Sequence, residues 1–156
     1  MNNESYDFDD DKEAVKFHRL YAEQGVVNAQ FRLAQMYYEG LGVEQDYKEA
    51  VKWYRLAGYK GDVNTQCILG TIYDEGEGVA QDYKEAEKWF RLAAEQGNAT
   101  AQSNLGIIYD EGQGVEKDYK ETVKWWRLSA EQRNERAQFN LSLMHDDSLD
   151  YLNSPN

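Results

Sequence analysis

Cysteine is nearly absent. Cys67 stands alone, which rules out an intramolecular disulfide framework and fits a reducing compartment. Histidine is almost as scarce: His18 and His145 lie near opposite ends of the chain, too far apart in a linear array to share a metal or catalytic site. The apolar runs are only a few residues long, so no segment is expected to span a membrane. The opening residues are acidic and polar, without a basic stretch leading into an apolar one. No secretory leader is therefore expected, and a cytoplasmic location is the simplest reading. Positive charge is also in short supply, with 17 basic residues against 29 acidic and a formal net charge of -12. A phosphate backbone would be repelled on most approaches, which argues against a nucleic-acid partner. A basic protein surface would be drawn in, although solubility alone also accounts for such a charge.

What the chain does have is apolar material and repetition. It is 41% hydrophobic and 13% aromatic, enough for a folded protein rather than an acidic disordered segment. A unit of 36 residues recurs: Gly40, Gly42, Asp46, Tyr47, Trp53 and Arg55 return as Gly76, Gly78, Asp82, Tyr83, Trp89 and Arg91. They return again as Gly112, Gly114, Asp118, Tyr119, Trp125 and Arg127. That length suits a pair of short helices. Such a pair cannot bury its own apolar face, so neighbours must stack. The expected fold is all-α, an alpha-alpha superhelix, or solenoid, of about four helical hairpins.

Two helix types alternate. Helix A is read from Ala29 to Glu39, Asn64 to Glu75, Thr100 to Glu111 and Arg136 to His145. Paired glycines such as Gly76 and Gly78 then break the helix and allow a tight turn. Helix B begins at Asp46, Asp82 or Asp118, an N-cap with Glu49, Glu85 or Glu121 placed to reach back three residues later. Asp10 with Glu13 makes a fourth such start, so the expected order is B, A, B, A, B, A, B, A. On helix B, Tyr83, Ala86 and Phe90 form an apolar stripe that Trp89 and Leu92 widen. Gly61 and Gly97 punctuate the turns before helix A, where the last repeat has Arg133 instead. The chain thus divides into an acidic segment at 1–10, a repeat region at 11–145 and a tail at 146–156. The tail holds the only proline, Pro155, and is either frayed or packed back through Leu149, Tyr151 and Leu152 as a cap.

The pattern closely resembles the Sel1-like repeat family, a relative of the tetratricopeptide repeats. It is carried by Leu69, Gly70, Tyr73, Gly76, Gly78, Asp82, Tyr83, Ala86, Trp89, Phe90, Ala93 and Ala94, and by Ala101, Leu105, Gly106, Tyr109, Gly112, Gly114, Asp118, Tyr119, Trp125 and Trp126. The resemblance implies a noncatalytic adaptor that binds proteins. Some bacterial relatives imply an alternative, an immunity or inhibitor protein that neutralises a toxin. A cysteine-rich subgroup is linked to β-lactam binding or hydrolysis, but it depends on a disulfide in each repeat that Cys67 alone cannot supply.

No chemistry competes with that reading. The Gly-x-Gly turns lack the preceding strand and the Gly-Lys-Ser or Gly-Lys-Thr ending of a phosphate loop. Residues 110–121 place glycines where a calcium loop needs oxygen ligands. Cys67 occupies the same repeat position as Phe31, Ser103 and Phe139, which suits packing or surface better than nucleophilic chemistry. No catalytic residue, cofactor or metal ligand is assigned. The tryptophans fill space between hairpins, and Arg55, Arg91 and Arg127 lay their stems across the same seam and pair with nearby acids. Function is expected where the repeats disagree, on the exposed side of helix A. Phe31, Arg32, Gln35 and Tyr38, then Ile68, Thr71 and Asp74, then Asn104, Ile107 and Asp110 should line one concave, acidic ribbon. Aromatic anchors beside charge suit a peptide or a protein with a basic surface.

Overall fold

The computed structural model describes the backbone of residues 8–152 and the side chains of residues 10–144. The segment before residue 8, the end with Pro155, and the side chains of His145, Leu149, Tyr151 and Leu152, on which a cap was expected, lie outside the described residues. Every described element is helical, in the order α1 (Phe8–Glu23), α2 (Val27–Glu39), α3 (Tyr47–Tyr59), α4 (Val63–Glu75), α5 (Tyr83–Glu95), α6 (Ala99–Glu111), α7 (Tyr119–Glu131) and α8 (Glu135–Leu152). The alternation of B and A helices is the one expected, although α8 continues seven residues beyond His145. Among the described residues, no helix is long and apolar enough to cross a membrane. The helices form two compact units, Met1–Gln81 and Asp82–Asn156. In the first, α1 packs on α2, α2 on α3 and α3 on α4; the second repeats this with α5 to α8.

The caps explain where each B helix starts. The Asp46 carboxylate accepts the backbone N–H groups of Lys48 and Glu49 at 2.9 and 3.1 Å, and Asp82 and Asp118 do the same. The reciprocal half of the capping box is not formed. Glu49 turns to Lys52 at 3.1 Å, and Glu85 and Glu121 turn likewise to Lys88 and Lys124. The Asp46 N–H that Glu49 was expected to satisfy donates instead to the Tyr37 carbonyl at 2.9 Å. Asp10 is no cap at all, because α1 already begins at Phe8.

Two side-chain latches join each of the first three B helices to the A helix after it. The amide of Gln30 donates to the Ala22 carbonyl at 3.2 Å, Gln66 to Gly58 at 3.0 Å, and Gln102 to Ala94 at 3.1 Å. Each is a second donor to a carbonyl at a helix C-terminus that already accepts the backbone N–H of the turn glycine, Gly25, Gly61 or Gly97. Arginines eighteen residues before a tyrosine form the second latch, with Arg19 on Tyr37, Arg55 on Tyr73 and Arg91 on Tyr109. The expected arginine–acid pairing is realised at Arg91, which also meets Glu87 and Glu121. Arg55 donates to the hydroxyls of Tyr73 and Tyr59.

Trp53, Trp89 and Trp125 are buried, as the repeat pattern requires. Leu56, Leu92 and Leu128, three residues further along, are not: they stay 41%, 43% and 38% exposed rather than extending the buried stripe. Three residues turn a helix by roughly 300°, so a tryptophan can face its neighbours while the leucine beside it sits at the rim. Phe17 departs in the same way. It stands at the Trp53 position but is 57% exposed, its ring edge against Tyr21 and His18, because no described helix lies over it. In the second unit Trp126 lies across α6, donating to the Ser103 carbonyl at 3.1 Å. A methyl group on Gly106 would come within 2.2 Å of its ring, so only glycine admits it.

Arg133 has φ 64°, where Gly61 and Gly97 occupy the same left-handed conformation. A side chain there costs about 1–2 kcal/mol. Arg133→Gly should therefore raise the melting temperature by about 2–8 °C. A thermal melt followed by circular dichroism checks this, and an unchanged or lower midpoint would count against strain at this turn.

Candidate functional site

In the first unit, α2 turns residues 27, 28, 31, 32, 35, 36 and 39 toward two open cavities that meet at Arg32. One, of about 420 Å³, is lined by Val27, Asn28, Phe31, Arg32, Asp62 and Asn64. The other, of about 350 Å³, is lined by His18, Arg32, Gln35, Met36, Glu39 and Leu41. Both rest on local rules. The spacing of three and four residues places one face of α2 along both cavities. The αL turn at Gly40 brings Leu41 back to the mouth of the second.

The groove carries mixed charge. Arg32 is exposed and donates to the Gln35 side chain at 3.1 Å. Asp62 is committed to capping α4, accepting from the backbone N–H of Thr65 at 2.8 Å and from its hydroxyl at 2.5 Å. Glu39 is exposed at the C-terminus of α2, where the helix dipole adds to its negative field. Phe31 is half-buried; its ring centre lies 5.9 Å from that of Tyr54 on α3, and it also lines the larger cavity. It is thus a packing residue and a groove residue at once.

The other expected contact residues stand apart from these cavities. Tyr38 donates its hydroxyl to the Glu77 carboxylate and lies edge-on to Tyr47, with ring centres 5.1 Å apart. The hydrogen bond to Glu77 and burial push its pKa up to about 12, so it is a neutral donor at ordinary pH. Ile68, Thr71 and Asp74 are half-buried on α4; Thr71 donates to the Cys67 carbonyl at 3.3 Å, and the Asp74 carbonyl accepts from Gln81 at 2.6 Å. Burial raises the Cys67 thiol, which makes it a poorer nucleophile than an exposed one.

In the second unit, Asn104 and Ile107 are half-buried and Asp110 is exposed on α6. Asn104 accepts from Arg136 of α8, which also reaches the Ser103 hydroxyl at 3.3 Å. Among the described residues, no group of three or more His, Cys, Asp or Glu side chains could hold a metal ion.

Sequence reasoning passed over His18, Asn28, Met36, Asp62 and Asn64 as groove residues. Asn28 and Asn64 occupy one repeat position and fit the rule that function lies on the exposed side of helix A. Nothing in the sequence marks His18 or Asp62, which arrive from α1 and from the start of α4.

The Sel1 repeat model matches the chain three times, over residues 27–62, 64–98 and 99–134. Among solved structures, the chain is similar to a Sel1 repeat protein from Oxalobacter formigenes, with 38% identity and a TM-score of 0.80 over 83% of this chain and 54% of that one. It is similar to a protective antigen of uropathogenic Escherichia coli with an SLR fold, with 40% identity and a TM-score of 0.75 over 80% of this chain and 27% of the other. The chain therefore spans about half and about a quarter of these two relatives. The Helicobacter pylori cysteine rich protein B shares the fold at a TM-score of 0.61 and 22% identity, over 81% of this chain and 93% of that one. Among curated proteins, none matches.

Proposed function

Because the chain belongs to the Sel1 repeat family, whose members generally act as noncatalytic scaffolds for protein–protein interaction, we propose that it binds a basic protein or peptide on the outward face of its A helices. One observation carries the reading: along α2, two adjoining cavities combine apolar walls from Phe31 and Met36 with polar groups from Arg32 and Gln35. That is the mix of anchor and orienting group found in protein recognition sites. The net charge of -12 steers a positively charged partner toward the chain, and Glu39 supplies local acidity at the smaller cavity.

The test is co-purification of the full chain from its native host, with the captured protein identified by mass spectrometry and its affinity then measured. Reversing charge with Glu39→Lys, which lines the smaller cavity, should weaken binding several-fold while helicity and melting temperature hold. Equal affinity in that variant would reject the α2 groove as the electrostatic contact. A single stoichiometric basic enzyme as partner would specify the role as that of an inhibitor or immunity protein; several basic partners would specify an adaptor.

A further inference from the structure

The seam between one hairpin and the B helix that follows it has two halves. In the first unit, the Phe31 ring of α2 lies 5.9 Å from the Tyr54 ring of α3. In the second, Trp126 of α7 donates to the Ser103 carbonyl of α6, at the same two repeat positions. Arg91 of α5 adds charge to that seam, standing 3.9 Å from the Glu121 carboxylate and 5.9 Å from the Trp125 ring centre on α7. The earlier hairpin thus gives an arginine and an A-helix residue. The next B helix receives them with a glutamate and two aromatic rings.

Each half also occurs uncovered. On α1, Glu13, Phe17 and His18 stand where Glu121, Trp125 and Trp126 stand on α7. Glu13 is exposed and Phe17 is 57% exposed, whereas Trp125 is buried. The hairpin of α7 and α8 carries the other half. Arg127 holds the position of Arg91 and is exposed; Phe139 holds that of Phe31 and Ser103 and is 62% exposed. Tyr21 and Leu143, one turn beyond Phe17 and Phe139, widen the two patches. Folding explains neither patch, since an aromatic ring left in water adds little to a core and lowers solubility.

We propose that the chain associates with a second copy of itself head to tail, Arg127 and Phe139 of one copy docking on Glu13, Phe17 and His18 of the other. Arg127 then meets Glu13 and the Phe17 ring as Arg91 meets Glu121 and Trp125. Phe139 packs on His18 as Phe31 packs on Tyr54. Shape and charge match because both halves repeat a seam that the fold already makes. A symmetric pair, α1 on α1 or α8 on α8, would leave Glu13 or Arg127 without its opposite charge. The two docking surfaces differ, so a pair keeps one of each free and can add further copies. The contact needs no other protein, and it stands or falls independently of the α2 groove.

Sedimentation of the full chain tests this at about 150 mM salt, where the self-repulsion of a net charge of -12 is screened beyond roughly 8 Å. One seam is a small interface, so the weight-average mass of the wild type should rise at protein concentrations on the order of 0.1 mM. Phe17→Glu and Phe139→Glu should each weaken association about tenfold or more. Mixed in equal amounts, the two variants should form a dimer and nothing larger, because each keeps the half that the other lacks. Circular dichroism should show unchanged helicity, since both rings are largely exposed. If either variant loses helicity, Glu13→Arg and Arg127→Glu decide. Each alone should weaken association about threefold, and the two in one chain should recover it; failure to recover overturns the proposal. It is also overturned if the wild type stays monomeric, if the mixture does not associate, or if either folded glutamate variant associates alone as well as the wild type does.

Discussion

Gly78→Ala is expected to destabilise the protein by about 2–5 kcal/mol, the sum of two penalties. The backbone at Gly78 has φ +73°, and an added methyl would stand 2.2 Å from the Tyr47 Cβ, with the Tyr47 carbonyl carbon at 3.1 Å. The obstacle is the first residue of α3 itself, its backbone and Cβ, which no rotamer change can move aside. The same contact recurs where Gly42 meets Asp11 and Gly114 meets Tyr83, so the second glycine of each Gly-x-Gly pair lets a loop close onto the preceding B helix. Gly97→Ala supplies the comparison. Gly97 also has a positive φ, +92°, but nothing lies within 4 Å of the added carbon, so only the conformational cost of about 1–2 kcal/mol applies. At about 2–4 °C per kcal/mol, thermal melts should separate the two variants by several degrees. Equal midpoints would show that loop closure at Gly78 needs no close approach.

Trp125→Ala should cost about 3–5 kcal/mol, against roughly 0.5 kcal/mol for Leu128→Ala three residues later. Trp125 is 3% exposed and Leu128 is 38% exposed. The indole N–H donates to Glu121 at 2.8 Å; Lys124 lies 4.5 Å and Arg91 5.9 Å from the ring centre. Truncation leaves a cavity, strips Glu121 of a donor and removes the surface on which two cations rest. Urea unfolding monitored by circular dichroism would measure both changes. Similar midpoints for the two variants would mean that Trp125 does not pack as described.

The contrast between these two residues marks how far a sequence reading reaches. Trp125 and Leu128 share one amphipathic stripe, and periodicity assigns both to it without ranking them. Which one is covered depends on where the neighbouring helix crosses. The caps divide in the same way. Asp46, Asp82 and Asp118 were legible because an N-cap is a contact within three residues. The return contact from Glu49 was not, because Lys52 and the Tyr37 carbonyl compete for the same groups. The glutamine latch lay open in the sequence, as Gln30, Gln66, Gln102 and Gln138 recur every 36 residues, but its purpose needs the carbonyl eight residues back to be in place.

The repeat length, the alternation of helix types and the turns between them were determined by the sequence alone, since each follows from interactions spanning only a few residues and echoed at a fixed interval. The outward side of α2 was legible for the same reason, through Phe31, Arg32 and Gln35. Tertiary structure decided which aromatic residues are spent on packing, that Tyr38 turns to Glu77, and that His18 and Asp62 complete the cavities around Arg32. Those outcomes depend on the distance between side chains on separate helices, and no local periodicity encodes that distance.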